Sequence, residues 1–173
     1  MEFKSFNEIK KINTATITIT QKIHGTNAQI LIYQKEDGSL DLCTGSRTRW
    51  IAPGDDNFGF AEFVYANKQE FIDKLGVGRW FGEWAGPGIN SGEGLSEKTF
   101  FLFDFMKVEG KPLPPRTQTV PLLYKGPFEQ QAIDAAMEDL KTNGSKLFPG
   151  FMRPEGVVIQ LLGSGVRYKK VTG

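Results

Sequence analysis

The chain has 173 residues, 39% of them hydrophobic and 24% charged, with a formal net charge of +1. That length suits one domain with a sizeable core. The near-zero charge excludes a long-range pull toward nucleic acid, so RNA or DNA would have to be met by a local basic patch. A single cysteine excludes an internal disulfide, and with a single histidine it also excludes an ordinary structural zinc site. In chain order, the opening MEFKSFNEIKK lacks the apolar centre of a signal peptide, and no stretch is long enough to span a membrane. Both point to a cytoplasmic protein. Residues 14–20, TATITIT, alternate in a way that predicts a strand ending at Gln21 and Lys22. Residues 28–33 predict a second strand, and Glu36-Asp37-Gly38 a turn into a third at 40–44. Residues 60–75 place Phe60, Phe63, Val64, Phe71 and Leu75 at helical spacing, with Gly76 as the stop. An aromatic-rich strand is expected at 79–85, a glycine-rich loop at 86–94 and a buried strand at 99–105. The proline-rich segment 111–115 reads as a loop. Residues 128–142 predict a helix with Ile133, Ala136, Met137 and Leu140 on one face. Residues 156–162 and 166–170 form a closing hairpin across Gly163-Ser164-Gly165. Strands before and after helices, joined by hairpins, argue for α+β with antiparallel sheets.

Several islands carry chemistry. Lys22 ends a half-buried strand just ahead of a glycine turn, in the run Gln21-Lys22-Ile23-His24-Gly25-Thr26-Asn27. A desolvated amine, or one beside other cations, becomes a nucleophile, which makes Lys22 a candidate for attack on phosphorus. Arg47 follows a strand, where a guanidinium fork suits a phosphate. Glu83 lies in the middle of an apolar strand, where a carboxylate needs a hydroxyl or a cation. The run Phe100-Phe101-Leu102-Phe103-Asp104-Phe105 is mostly core, and one of its rings can serve a base as a stacking surface. Glu155 opens another apolar strand and suits magnesium as a hard oxygen ligand. Arg167-Tyr168-Lys169-Lys170 gathers cations near the C-terminus.

Taken in order, these islands resemble the covalent nucleotidyltransferase family of polynucleotide ligases and capping enzymes. The pattern is K-x-[DHN]-G, an arginine, an F-G-E strand, an aromatic strand ending F-D, E-G-[VI]-V and a last pair of lysines. K-I-H-G-T-N together with F-G-E-W-A-G-P-G-I looks most like the ATP-dependent RNA ligases that seal nicks, and the resemblance covers residues 14–171. It implies an α+β nucleotidyltransferase domain over 1–173, with antiparallel sheets flanked by helices and a nucleotide cleft between them. No C-terminal accessory domain is expected. It further implies ATP and magnesium or manganese as cofactors, a lysyl-AMP intermediate on Lys22, and RNA with nicked or base-paired ends as partner. A separate protein could supply a clamp domain.

The resemblance also distributes roles. Adenine stacks on Phe103, and Glu83 accepts from a ribose hydroxyl. Gln21 and Ile23 flank the nucleotide, Arg47, Lys169 and Lys170 surround the α-phosphate, and Glu155 holds the metal. His24, Thr26 and Asn27 serve the steps after lysine charging, at RNA phosphate or metal-bound water. The last motif leaves a choice, because lysines 169 and 170 are adjacent while Arg167 and Lys169 have alternate spacing. A strand turns 167 and 169 to one face and 168 and 170 to the other, so Lys170 and Arg167 compete for the second cationic role. Competing readings are a DNA ligase, a GTP-using capping guanylyltransferase, and a nucleotide-dependent RNA-end-binding module without turnover. His24 and Thr26-Asn27 count against the first two.

Overall fold

The structure is a computed structural model describing residues 2–172. Its strands are β1 (Thr16–Lys22), β2 (Thr26–Gln34), β3 (Leu40–Gly45), β4 (Trp50–Ile51), β5 (Gly78–Ala85), β6 (Thr99–Leu102), β7 (Thr117–Thr119), β8 (Leu122–Pro127), β9 (Gly156–Leu161) and β10 (Arg167–Val171). The helices are α1 (Phe60–Ala66), α2 (Lys68–Leu75) and α3 (Gln130–Asn143). Two sheets result, one of four strands in the order β10-β9-β1-β8 and one of six in the order β4-β3-β2-β5-β6-β7. Pairing is antiparallel except for β6 with β7. This is the expected α+β class, and no helix among the described residues is long and apolar enough to cross a membrane.

Side-chain alternation explains how each sheet finds its cover. In the four-stranded sheet, Ile17, Ile19, Val157 and Ile159 turn to one face and pack on Ile133, Ala136 and Leu140 of α3. In the six-stranded sheet, Ala28, Ile30, Ile32, Trp80, Trp84, Phe100 and Leu102 face α1 and α2. Phe63 stacks on Trp84 at 5.2 Å between centroids, and Phe60 sits 5.0 Å from Phe100. The opposite faces of the two sheets look toward each other across a cleft.

The link between the sheets is the three-residue connection from β1 to β2. Ile23 is buried there against Ala85, Phe101 and Val120. Gly25 passes so close to β5 that a Cβ would lie 2.3 Å from the Trp84 carbonyl oxygen. No side chain fits that crossing, which accounts for the glycine of K-x-H-G.

Two expected elements differ, and two strands were not expected. The 60–75 helix is broken at Asn67 (φ −117°, ψ 25°), whose amide donates to the Phe63 carbonyl at 2.9 Å while its own carbonyl accepts from Phe71 N–H. The 99–105 strand stops at Leu102, because Asp104 (φ −88°, ψ 70°) turns the chain into a short 3-10 helix. β7 and β8 fall where the sequence carried no strand signal.

Candidate active site

Between the sheets lies a cavity of about 550 Å³, lined by residues from both. Lys22 is the last residue of β1, and its side chain is 23% exposed. Its Nζ donates to Glu155 Oε2 at 2.5 Å. The register brings the two backbones close, since Lys22 stands opposite Gly156 and Glu155 is the residue just before it.

Across the cavity, Glu83 is 8% exposed on β5, directly opposite Asn27 of β2. Its carboxylate accepts from Asn27 Nδ2 at 2.9 Å and from Gly25 N–H at 3.3 Å. Burial pushes the Glu83 carboxyl up to about 7, against the pull of the Lys22 charge and of both donors, with Glu155 adding a like charge. Arg47 Nε donates to Asn27 Oδ1 at 2.7 Å, so arginine, amide and carboxylate form one connected line. Thr26 shares a hydrogen bond with Asn57, whose amide also reaches the Asn27 carbonyl at 3.3 Å.

β10 settles where its cations point. Arg167 and Lys169 stand opposite Gln160 and Val158, which line the cavity. Lys170 stands opposite Val157, which is buried on the α3 side, and pairs with Asp134 of α3 at 2.8 Å. The structure therefore brings Arg167 and Lys169 into the cavity and not Lys170, as strand alternation requires. The Arg167 guanidinium lies 5.1 Å from the centre of the Phe103 ring, and Phe103 lines the cavity beside Val120. Gln21 and Ile23 also reach the lining. The Gln21 side chain is engaged elsewhere, donating to Ser145 Oγ and accepting from Lys146 N–H, both at 2.8 Å. These bonds brace the strand end.

His24 lies around the corner, lining a second cavity of about 650 Å³ with Glu155, Arg153 and Lys141. Its backbone N–H donates to Glu93 Oε1 at 2.7 Å, while Asn90 Nδ2 donates to the Gly25 carbonyl at 2.8 Å. The glycine-rich loop thus holds the turn after Lys22 through two hydrogen bonds. Glu93 is fully buried with φ +53°, and its Oε2 has no partner among the described residues. Burial raises its carboxyl, opposed by the His24 N–H. Sequence reasoning missed Glu93, because a carboxylate within G-E-G reads as a solvated loop residue. In the structure it stands out as a non-glycine in left-handed backbone among glycines.

No group of three or more His, Cys, Asp or Glu among the described residues is arranged to hold a metal ion. Glu155 offers a carboxylate beside Lys22, on the side of the second cavity, and Glu83 offers one in the lining of the first. That suits magnesium, which keeps most of its water and takes one or two carboxylates together with substrate phosphates.

The chain matches the RNA ligase family over residues 15–171. Among solved structures it is similar to Naegleria gruberi RNA ligase. A ligand-free form has 18% identity and a TM-score of 0.60, covering 93% of this chain and 50% of that one. A form with ATP and manganese has 18% identity and a TM-score of 0.57, covering 93% and 51%. A form with AMP and manganese has 18% identity and a TM-score of 0.60, with the same coverage. At that identity the likeness establishes the fold, and the chain spans about half the length of the solved ligases it matches.

Proposed function

The chain belongs to the RNA ligase family, and on that premise we propose that it is an ATP-dependent RNA ligase acting through a lysyl-AMP intermediate on Lys22. The observation that carries the reading is the convergence of Lys22, Glu83, Arg47, Phe103 and Lys169 on one cavity, with Glu155 hydrogen-bonded to Lys22. The cavity volume lies within the range of small-molecule sites. In the first step Lys22 Nζ gives up its ammonium proton and bonds to the α-phosphorus of ATP as the bond to pyrophosphate breaks. Lys169 and Arg47 supply fixed positive charge where the phosphate oxygens gain negative charge, and such preorganised charge lowers the barrier. Glu83, prepositioned by Asn27 and Gly25, accepts from the ribose, and Phe103 offers its ring to adenine. Arg167 fills the second cationic role of the last motif. In the later steps AMP passes to an RNA 5′-phosphate, and a 3′-hydroxyl displaces it to close the phosphodiester.

Glu155 is the residue that would hold a divalent ion, magnesium or manganese, which supplies charge neutralisation at the phosphates when bound. The same carboxylate holds the Lys22 amine in the ion pair, so the nucleophile starts at the cavity floor, oriented by one fixed partner. His24, Thr26 and Asn27 serve the RNA steps. His24 faces the second cavity, on the far side of the Lys22–Glu155 pair, which supports a role apart from nucleotide binding. The setting we propose is cytoplasmic RNA repair.

The test is a sealing assay with labelled strands. Joining of RNA 3′-hydroxyl and 5′-phosphate ends with ATP, and not with GTP, is expected. Sealing of DNA alone, or a preference for GTP, would overturn the assignment.

A further inference from the structure

The cavity-side face of the six-stranded sheet continues well beyond the nucleotide cavity, and it is not covered. Residues directly opposite one another on paired strands share a face. Trp50 stands opposite Gly45, Gly45 opposite Gln29, and Gln29 opposite Phe81. Phe81 in turn meets the next strand at Phe103, whose N–H donates to the Phe81 carbonyl at 3.0 Å. One lateral row thus runs from the ring at the nucleotide cavity to the edge of the sheet. Two large aromatic side chains in it are open to solvent, Phe81 at 48% and Trp50 at 51%. Between them lie a glycine and a glutamine, so the row is low in its middle.

The charge on this face differs from the whole-chain balance. The Arg79 guanidinium lies 5.5 Å from the centre of the Trp50 ring and donates to Gln29 Oε1 at 2.7 Å. Arg47 stands at the cavity end of the row. The opposing acid near Trp50 is Asp55, already paired with Arg49 at 2.7 Å. Glu83 is buried beneath Asn27. Half-exposed rings and arginines on an open sheet face match unpaired nucleotides, which stack their bases on rings and place phosphates against cations.

We propose that this face is an RNA platform on which unpaired nucleotides next to the end being joined stack on Phe81 and Trp50, with Arg79 and Arg47 at their phosphates. The proposal rests on the RNA ligase reading and adds where the strand lies and in what form. Because it is continuous with the cavity through Phe103, it delivers the terminal phosphate toward Lys22. It also supplies the local basic patch that a chain of net charge +1 needs.

Trp50 provides its own reporter, since Trp80 and Trp84 are only 7% and 1% exposed. Titration of the full chain with a short single-stranded RNA is expected to quench the tryptophan emission, through Trp50. Phe81→Ala and Trp50→Ala are each expected to weaken RNA binding about 5- to 100-fold, measured by anisotropy of a labelled oligonucleotide. Arg79→Ala is expected to weaken it while reducing the slope of log affinity against log salt by about 0.7. Thermal midpoints close to the wild type show that these exposed changes leave the fold intact. Unchanged affinity in folded Phe81→Ala and Trp50→Ala, no binding by the wild type, or binding of nicked duplex alone would overturn the platform. Failure of the wild-type chain to take AMP from ATP would instead overturn the ligase reading, so the two failures are distinguishable.

Discussion

The two sheets that enclose the cavity are backed very differently. Behind the six-stranded sheet lie Trp84, Phe60, Phe71 and Phe100, all essentially fully buried. Its cavity face carries Arg47, Asn27 and Glu83 locked in one hydrogen-bonded line. The four-stranded sheet rests on a single helix through aliphatic side chains. Its outermost strand, β10, is exposed along its whole length and pairs only with β9. On the proposed reading, Glu83 and Arg47 thus sit on the rigid wall, and Arg167 and Lys169 on the wall best able to open locally. Lys22, the proposed nucleophile, stands where the two join, the last residue before the chain crosses from one sheet to the other.

The sharpest way to break this contrast is through the core of the rigid wall. Trp84→Ala is expected to lose about 3–5 kcal/mol of stability in urea titrations, whereas Ile159→Val behind the other wall should lose only about 1 kcal/mol. Equal losses would remove the distinction. On β10, Lys169→Ala is expected to slow lysine charging about 100-fold or more, the scale for losing one preorganised charge at a reacting phosphate. Quenched-flow transfer of labelled AMP measures it.

Glu83 sharpens the contrast through pH. Its folded carboxyl is raised from 4.5 to about 7 by burial, so the folded state holds a proton that the unfolded chain releases earlier. Its contribution to stability is complete below about pH 4.5 and is lost as pH rises through 7, a difference of roughly 3 kcal/mol. Glu83→Gln should thus match the wild type at low pH and exceed it at pH 8, measured without nucleotide. A gap that is constant with pH would contradict the assignment. Lys170→Ala should have the smallest effect. Its ion pair with Asp134 is solvent-exposed, of a kind that contributes at most about 1 kcal/mol, so charging should stay within about two-fold.

Much of this was legible in the chain. The alternation in TITITQK, the turn glycine and the apolar runs gave the main strands and α3. The ordered islands singled out Lys22, Glu83 and Phe103, which line one cavity, and Glu155, which meets Lys22 beside it. What escaped was structure decided by tertiary contacts. β8 carries Leu122-Leu123-Tyr124-Lys125-Gly126-Pro127, without alternation, and ends in a proline that only a sheet edge tolerates. Asn67 breaks a continuous helical period through its side-chain hydrogen bond to Phe63. Glu93 and Asn90 matter only because the fold lays their loop against the turn at His24 and Gly25. The adjacency of two lysines hid which one faces the cavity until the register of β10 against β9 fixed it.

The most direct measurement is the intact mass of the full chain after incubation with ATP and a divalent metal, followed by peptide mapping. The account predicts a gain equal to one AMP, located on Lys22 and absent in Lys22→Ala. A gain mapped to any other lysine, or no gain with either magnesium or manganese, would contradict it.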